Sequence, residues 1–167
     1  AKCIVSGVGI GHGARWMSRV RRVDEWFDLH ERSQRDREKR ATTGKSEQVE
    51  RSEILLPDRQ SAELAAAARR NNPAAVSTIP LEYVDDTVGF NPEWIVDKVS
   101  PRPILFITTD DDRLVLPEES EQLYAHAGEP KKLSVIEGAG HGFRAPEHRT
   151  KATAALVGWF ERHLTAR

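Results

Sequence analysis

The segment RPILFITTDDDRLVLPEES, residues 102–120, passes from strand through loop into helix. Pro101 and Pro103 punctuate the entry to an apolar, partly β-branched run over 104–109, of the length of a buried strand. Three aspartates follow. Pro117 then stands where a first helical position tolerates proline, and Glu118 and Glu119 complement the helix dipole. That helix presents Leu123, Tyr124 and Ala127, and it stops at Gly128 with Pro130 beyond. A second strand is expected over 133–136. A last helix is expected over 146–164, with Leu156, Val157, Phe160 and Leu164 on one stripe. Strand, helix, strand and helix joined by short links imply a parallel sheet covered by helices.

Toward the N-terminus the apolar residues of 2–8 form a third strand, bounded by the glycines of a 7–13 loop. Val20, Val23 and Phe27 fall at i, i+3 and i+7, which predicts a helix over 20–40, polar all round beyond Leu29. Another helix is predicted over 59–70, with Asp58 as its cap and Leu64, Ala67 and Ala68 on one face. Residues 74–92 hold the breakers Pro80, Gly89 and Pro92 and are expected to be irregular, before a short helix at 91–99. The expected division is therefore 1–16 as the first core strand and its loop, 17–90 as a helical insertion, and 91–167 as the α/β core. Three parallel strands make a small sheet for strands this apolar, which implies more sheet elsewhere.

Composition narrows the functional classes. Twenty-five basic side chains face 26 acidic ones, and even the polar stretch 19–53 mixes the signs, so a one-signed nucleic-acid surface is not expected. No apolar run reaches the roughly 20 residues of a membrane span, and a cytoplasmic, membrane-free protein is the expectation. The single cysteine, Cys3, excludes an internal disulfide framework. The chain enters a strand almost at once after Ala1, which suggests a processed product, a separate subunit or a fragment; removal of an initiator methionine would look the same.

Catalytic groups of open α/β sheets gather at the carboxyl ends of the strands. Two loops qualify, Asp110 to Pro117 and Glu137 to Phe143, the second within KKLSVIEGAGHGF, residues 131–143. The two segments together resemble the α/β-hydrolase superfamily, in particular its dienelactone-hydrolase-like and peptidase-like serine hydrolases. In that family an apolar strand followed by Asp-x-x-Val-x-Pro-Glu supplies a triad acid, and the next strand ends in Gly-x-Gly-His, which supplies the base. The resemblance implies that Asp112 is the acid and His141 the base, with residues 17–90 as the variable cap. Aspartate clusters also favour turns, and Asp110 and Asp111 are read that way.

The same resemblance implies a Gly-x-Ser-x-Gly nucleophile elbow before the first strand, and no serine of this chain has that context. The reading is thus the C-terminal half of an α/β-hydrolase fold. A serine or cysteine nucleophile is expected on an N-terminal half carried by another chain, acting on a small-molecule ester, thioester, amide or related carbonyl. A non-catalytic structural or regulatory subunit is the alternative.

Gly9 to Ala14 fits a dinucleotide fingerprint in spacing, but the following strand and its acidic residue are missing, so no cofactor is expected. That loop remains a candidate lining of the substrate pocket, with His12 and Trp16 as contacts. Cys3 and the six histidines show no zinc spacing, and the aspartate run lacks the form of a calcium loop. Trp26 and Trp94 are expected to pack in core or cap.

Overall fold

The computed structural model describes residues 1–55, 63, 66–68, 70–72, 74 and 76–164. In chain order its elements are β1 (Ile4–Gly7), α1 (Gly13–Arg19), α2 (Val23–Thr43), β2 (Gln48–Glu50), α3 (Arg51–Ile54), β3 (Thr78–Pro80), α4 (Tyr83–Gly89), β4 (Ile104–Thr109), α5 (Pro117–His126), β5 (Lys131–Ile136) and α6 (Pro146–Leu164). The short helix expected at 91–99 is present as two 3₁₀ turns, Pro92–Trp94 and Val96–Val99. Residues 63, 66–68, 70 and 71 are helical, while the rest of the helix expected over 59–70, with its Asp58 cap and Leu64, lies outside the described residues. The chain divides into two compact units, 1–12 with 91–167, and 13–90.

The first unit is an α/β sandwich. Its strands are all parallel in the order β1-β4-β5, so the central strand is the one read first from the sequence. Every residue of β4 is buried. Because side chains alternate across a strand, Ile104 and Phe106 join Val96, Leu123 and Ala127 under α5, whereas Leu105 and Ile107 join Cys3, Ile136, Ala139 and Trp159 under α6. A central strand buried on both faces needs the continuous apolar run that 104–107 provides. Full burial of a side chain such as Phe106 stabilises the fold by about 1.5–3 kcal/mol. Helix α6 shares only Phe160 with the stripe expected: Phe160 packs against the core beside the buried Trp159, while Leu156, Val157 and Leu164 are exposed.

The second unit contains β2 and β3, a short antiparallel pair with Val49 opposite Ile79. Strand β3 and helix α4 lie within 74–92, which sequence reading left irregular. Proline at the end of β3 and glycine at the end of α4 bound the elements instead of preventing them. They form a separate pair, do not extend the parallel sheet, and are not the neighbour that the apolar edge strand at the N-terminus implies.

The expected helix over 20–40 is α2, from 23 to 43, preceded by the separate α1. Its apolar start does not face a core: Val23 is 72% and Phe27 64% exposed. Its polar half is the buried one, through Ser33 and Asp36. Asp36 accepts hydrogen bonds from the Arg40 guanidinium, the Ser46 hydroxyl and the Glu47 N–H. Asp85, on α4, takes Ser33, Arg37 and Arg40. Arg32 spans Glu47 and Glu53. The sequence showed mixed charge that allowed i,i+4 pairs, and Arg35–Glu31 and Arg40–Asp36 are such pairs; Arg32, Arg37 and Arg40 also reach acids on segments farther along the chain.

Candidate active site

In a parallel sheet all strands end at the same edge, so the loops after β1, β4 and β5 emerge side by side in that order. Asp112 lies in the loop after β4 and His141 in the loop after β5. Asp110 and Asp111, read as turn residues, join these two loops. The Asp110 carboxylate accepts the Gly138 N–H at 2.6 Å, and the Asp111 N–H donates to the Ala139 carbonyl at 3.2 Å. The second loop bends through left-handed backbone at Gly138 (φ +71°) and Gly142 (φ +84°), positions where glycine carries no steric penalty. Ala139, wholly buried, anchors this loop in the core beneath α6.

These constraints bring His141 Nδ1 to 2.9 Å from Asp112 Oδ2. The other carboxylate oxygen, Oδ1, accepts the N–H groups of Leu114 and Val115, each at 2.9 Å. The Asp112 side chain is fully buried, and the His141 ring is 37% exposed. A buried carboxylate would be costly if unpaired. Here two amides and an imidazole meet it, which fixes its orientation and favours the ring tautomer with the proton on Nδ1. The nitrogen on the opposite edge of the ring, Nε2, is then the one suited to take and return a proton.

The third loop, after β1, carries His12. Its ring stands edge-on to Trp94, centroids 5.7 Å apart and planes at 83°. Trp94 is 69% exposed and so is not the packing residue expected for it. Trp16, on α1, is buried. His12 belongs to the first compact unit and Trp16 to the second.

Glu119 is the site residue that sequence reading missed. Its carboxylate, 2% exposed, accepts the backbone N–H groups of Gly11 at 2.9 Å and His12 at 3.0 Å. From sequence it was one of two acids in a first helical turn, and either can serve the dipole. The available signal was its place as third residue of a helix begun by Pro117, where a glutamate carboxylate commonly turns to backbone amides.

The sequence profile of the prolyl oligopeptidase family matches residues 78–167, more than half of the chain. No curated protein matches it. Among solved structures, the α/β-hydrolase GrgF from Penicillium sp. sh18 superposes with a TM-score of 0.71 and 17% identity, covering 98% of this chain and 56% of its own. DcsB, solved with its substrate analogue, gives 0.73 and 17%, covering 98% of this chain and 58% of its own. A monoacylglycerol lipase from Paleococcus ferrophilus gives 0.57 and 20%, covering 78% and 51%. At such identities the likeness is one of fold. This chain spans little more than half the length of the structures it matches. No helix among the described residues is long and apolar enough to cross a membrane. The strand order, the helices on both faces and the family match lead to one conclusion: the chain has an α/β-hydrolase fold and belongs to the prolyl oligopeptidase family.

Proposed function

We propose that Asp112 and His141 are the acid and base of a Ser-His-Asp type triad whose nucleophile lies outside these 167 residues. The observation that carries the reading is the 2.9 Å contact of His141 Nδ1 with a buried, amide-held Asp112. The nucleophile, a serine or cysteine, comes from an N-terminal half of the fold on a second chain or an earlier part of the same one. The far edge of β1, unpaired among the described residues, supports that half as the neighbour. So does an apolar groove of about 440 Å³ beside it, lined by Val5, Gly7, Phe143, Leu156 and Phe160.

The reaction is acyl transfer to water. His141 Nε2 takes the nucleophile's proton as the nucleophile attacks a carbonyl, and the imidazolium returns that proton to the leaving group. His141 then draws a proton from water, whose oxygen attacks the acyl-enzyme; the acyl–nucleophile bond breaks, the acid leaves, and the proton on His141 returns to the nucleophile. Asp112 keeps the ring oriented and stabilises its charged form throughout. The substrate is a small ester, thioester, amide or related carbonyl. His12 is proposed as a contact to it.

Turnover of a p-nitrophenyl ester by the assembled protein tests this. His141→Ala is expected to lower kcat by about 10⁴-fold. Undiminished turnover would overturn the assignment and favour a non-catalytic role for the chain.

A further inference from the structure

Glu119 is a charged group buried away from solvent, and its bonds run to backbone more than 100 residues earlier in the chain. We infer that Glu119 is a positioning residue: by holding the loop after β1 it fixes the His12–Trp94 surface at the catalytic edge and sets how tightly substrate is held. This inference rests on the function proposed above.

The loop needs such a restraint. It begins at Val8, whose φ of +44° is a left-handed conformation that a β-branched side chain adopts only under constraint. Val8 is pinned at one end by its N–H bond to the Ile107 carbonyl at 2.8 Å. Gly9 passes so close to Ser6 Oγ and Leu123 that a Cβ there would stand 2.5 Å and 3.3 Å from them. At the other end, Glu119 Oε2 collects the Gly11 and His12 amides, and the Gly11 carbonyl accepts the Glu93 N–H at 3.1 Å. Gly11 is thereby fixed through both its amide and its carbonyl. The residues held by this arrangement, His12 and the Trp94 that follows Glu93, form the edge-on aromatic pair.

Glu119 also lies in the first turn of the helix that follows the acid loop. The segment 112–119 therefore carries the carboxylate that holds His141 at one end and the carboxylate that holds the His12 loop at the other. Such a link places a binding surface against the proton-transfer pair without touching the reacting atoms. Its loss should weaken substrate binding far more than it slows the chemical step.

The test compares Glu119→Leu and Glu119→Gln in the assembled protein. Glutamine keeps a carbonyl oxygen able to accept both amides; leucine fills the space and accepts neither. Glu119→Leu is expected to raise KM for a p-nitrophenyl ester by about 10-fold with kcat within about 3-fold. It should also speed hydrogen exchange of the Gly11 and His12 amides by at least about 10-fold while β4 amides stay protected. Glu119→Gln should recover both properties to within about 3-fold of the parent. Unchanged KM or unchanged exchange in Glu119→Leu would overturn the inference. So would equal damage from glutamine, or exchange accelerated throughout the sheet, which would mark Glu119 as a folding determinant only. Failure of the hydrolase reading shows separately, as turnover indifferent to His141→Ala, and the exchange measurement then decides the clamp by itself.

Discussion

In the unit formed by residues 1–12 and 91–164, β4 is buried along its whole length and apolar clusters lie on both faces of the sheet. In the unit of residues 13–90, the longest helix, α2, contributes only Ser33 and Asp36 to the buried set and turns Val23 and Phe27 to solvent. The first unit therefore rests on area removed from water, which is insensitive to direction. The second holds an apolar set of its own, Trp16, Met17, Val49, Ile54, Leu81 and Val84, and adds to it charge-assisted hydrogen bonds, which demand particular partners at particular distances. The proposed catalytic pair, Asp112 and His141, keeps its 2.9 Å contact at the end of the densely packed strand.

Substitutions on either side put this contrast under strain. The largest effect should come from Asp112→Asn, which keeps the shape of the acid but disturbs the His141 tautomer: kcat should fall by about 10⁴-fold while the fold persists, as read by ester turnover and circular dichroism. Next is Phe106→Ala at the centre of the sheet, expected to cost about 3–5 kcal/mol in denaturant titration. In the other unit, Asp36→Ala leaves the Glu47 N–H and Ser46 hydroxyl without their acceptor and should cost about 1–3 kcal/mol. Limited proteolysis of that variant should cut first within 13–90. A drop equal to that of Phe106→Ala, with loss of the sheet, would erase the distinction between the units.

Acid gives a graded version of the same comparison. Burial pushes the Asp36 carboxyl upward, but the Glu47 N–H, the Ser46 hydroxyl and Arg40 outweigh it, leaving its pKa below the ordinary range. Asp85 is likewise raised by burial and brought lower still by Arg37, Ser33 and Arg40. Folded-state values below the unfolded ones mean that the unfolded chain binds more protons across the interval between them. The stabilisation is complete above about pH 4 and is lost as pH falls through the lowered folded values. Acid titration followed by amide exchange should therefore release α2 and α4 before β4. The smallest effect is expected for Phe27→Ser, within about 0.5 kcal/mol, because the ring is already largely in water. The helical stripe taken by itself would have called for a core-sized loss.

That stripe marks where local pattern stops being informative. Val20, Val23 and Phe27 have helical spacing, and α2 is a helix. Yet spacing says only that residues share a face, and the contacts of Ser33 with Asp85 or Arg32 with Glu47 come from segments the pattern does not connect. Strand β4 was legible because burial on both faces writes a continuous apolar run into the sequence. The pairing of Asp112 with His141 was legible because each residue lies within a few positions of the end of one of two adjacent strands. Glu119 was not, since a first-turn glutamate has an adequate local reason to exist and its bonds to Gly11 and His12 arise only when β1 lies beside β4. Strand β3 and helix α4 escaped because elements of three and seven residues carry too little periodicity to stand out from their proline and glycine boundaries.

His141 is proposed to act as a base that Asp112 holds in place. The most direct measurement of that role is the rate at which an alkyl fluorophosphonate labels the nucleophile of the assembled protein, since that step needs the proton removed but needs no turnover. The parent should be labelled stoichiometrically, and His141→Ala should be slowed by about 10³-fold or more. Equal labelling rates in the two proteins would contradict the assignment of His141 and, with it, the reading of the site.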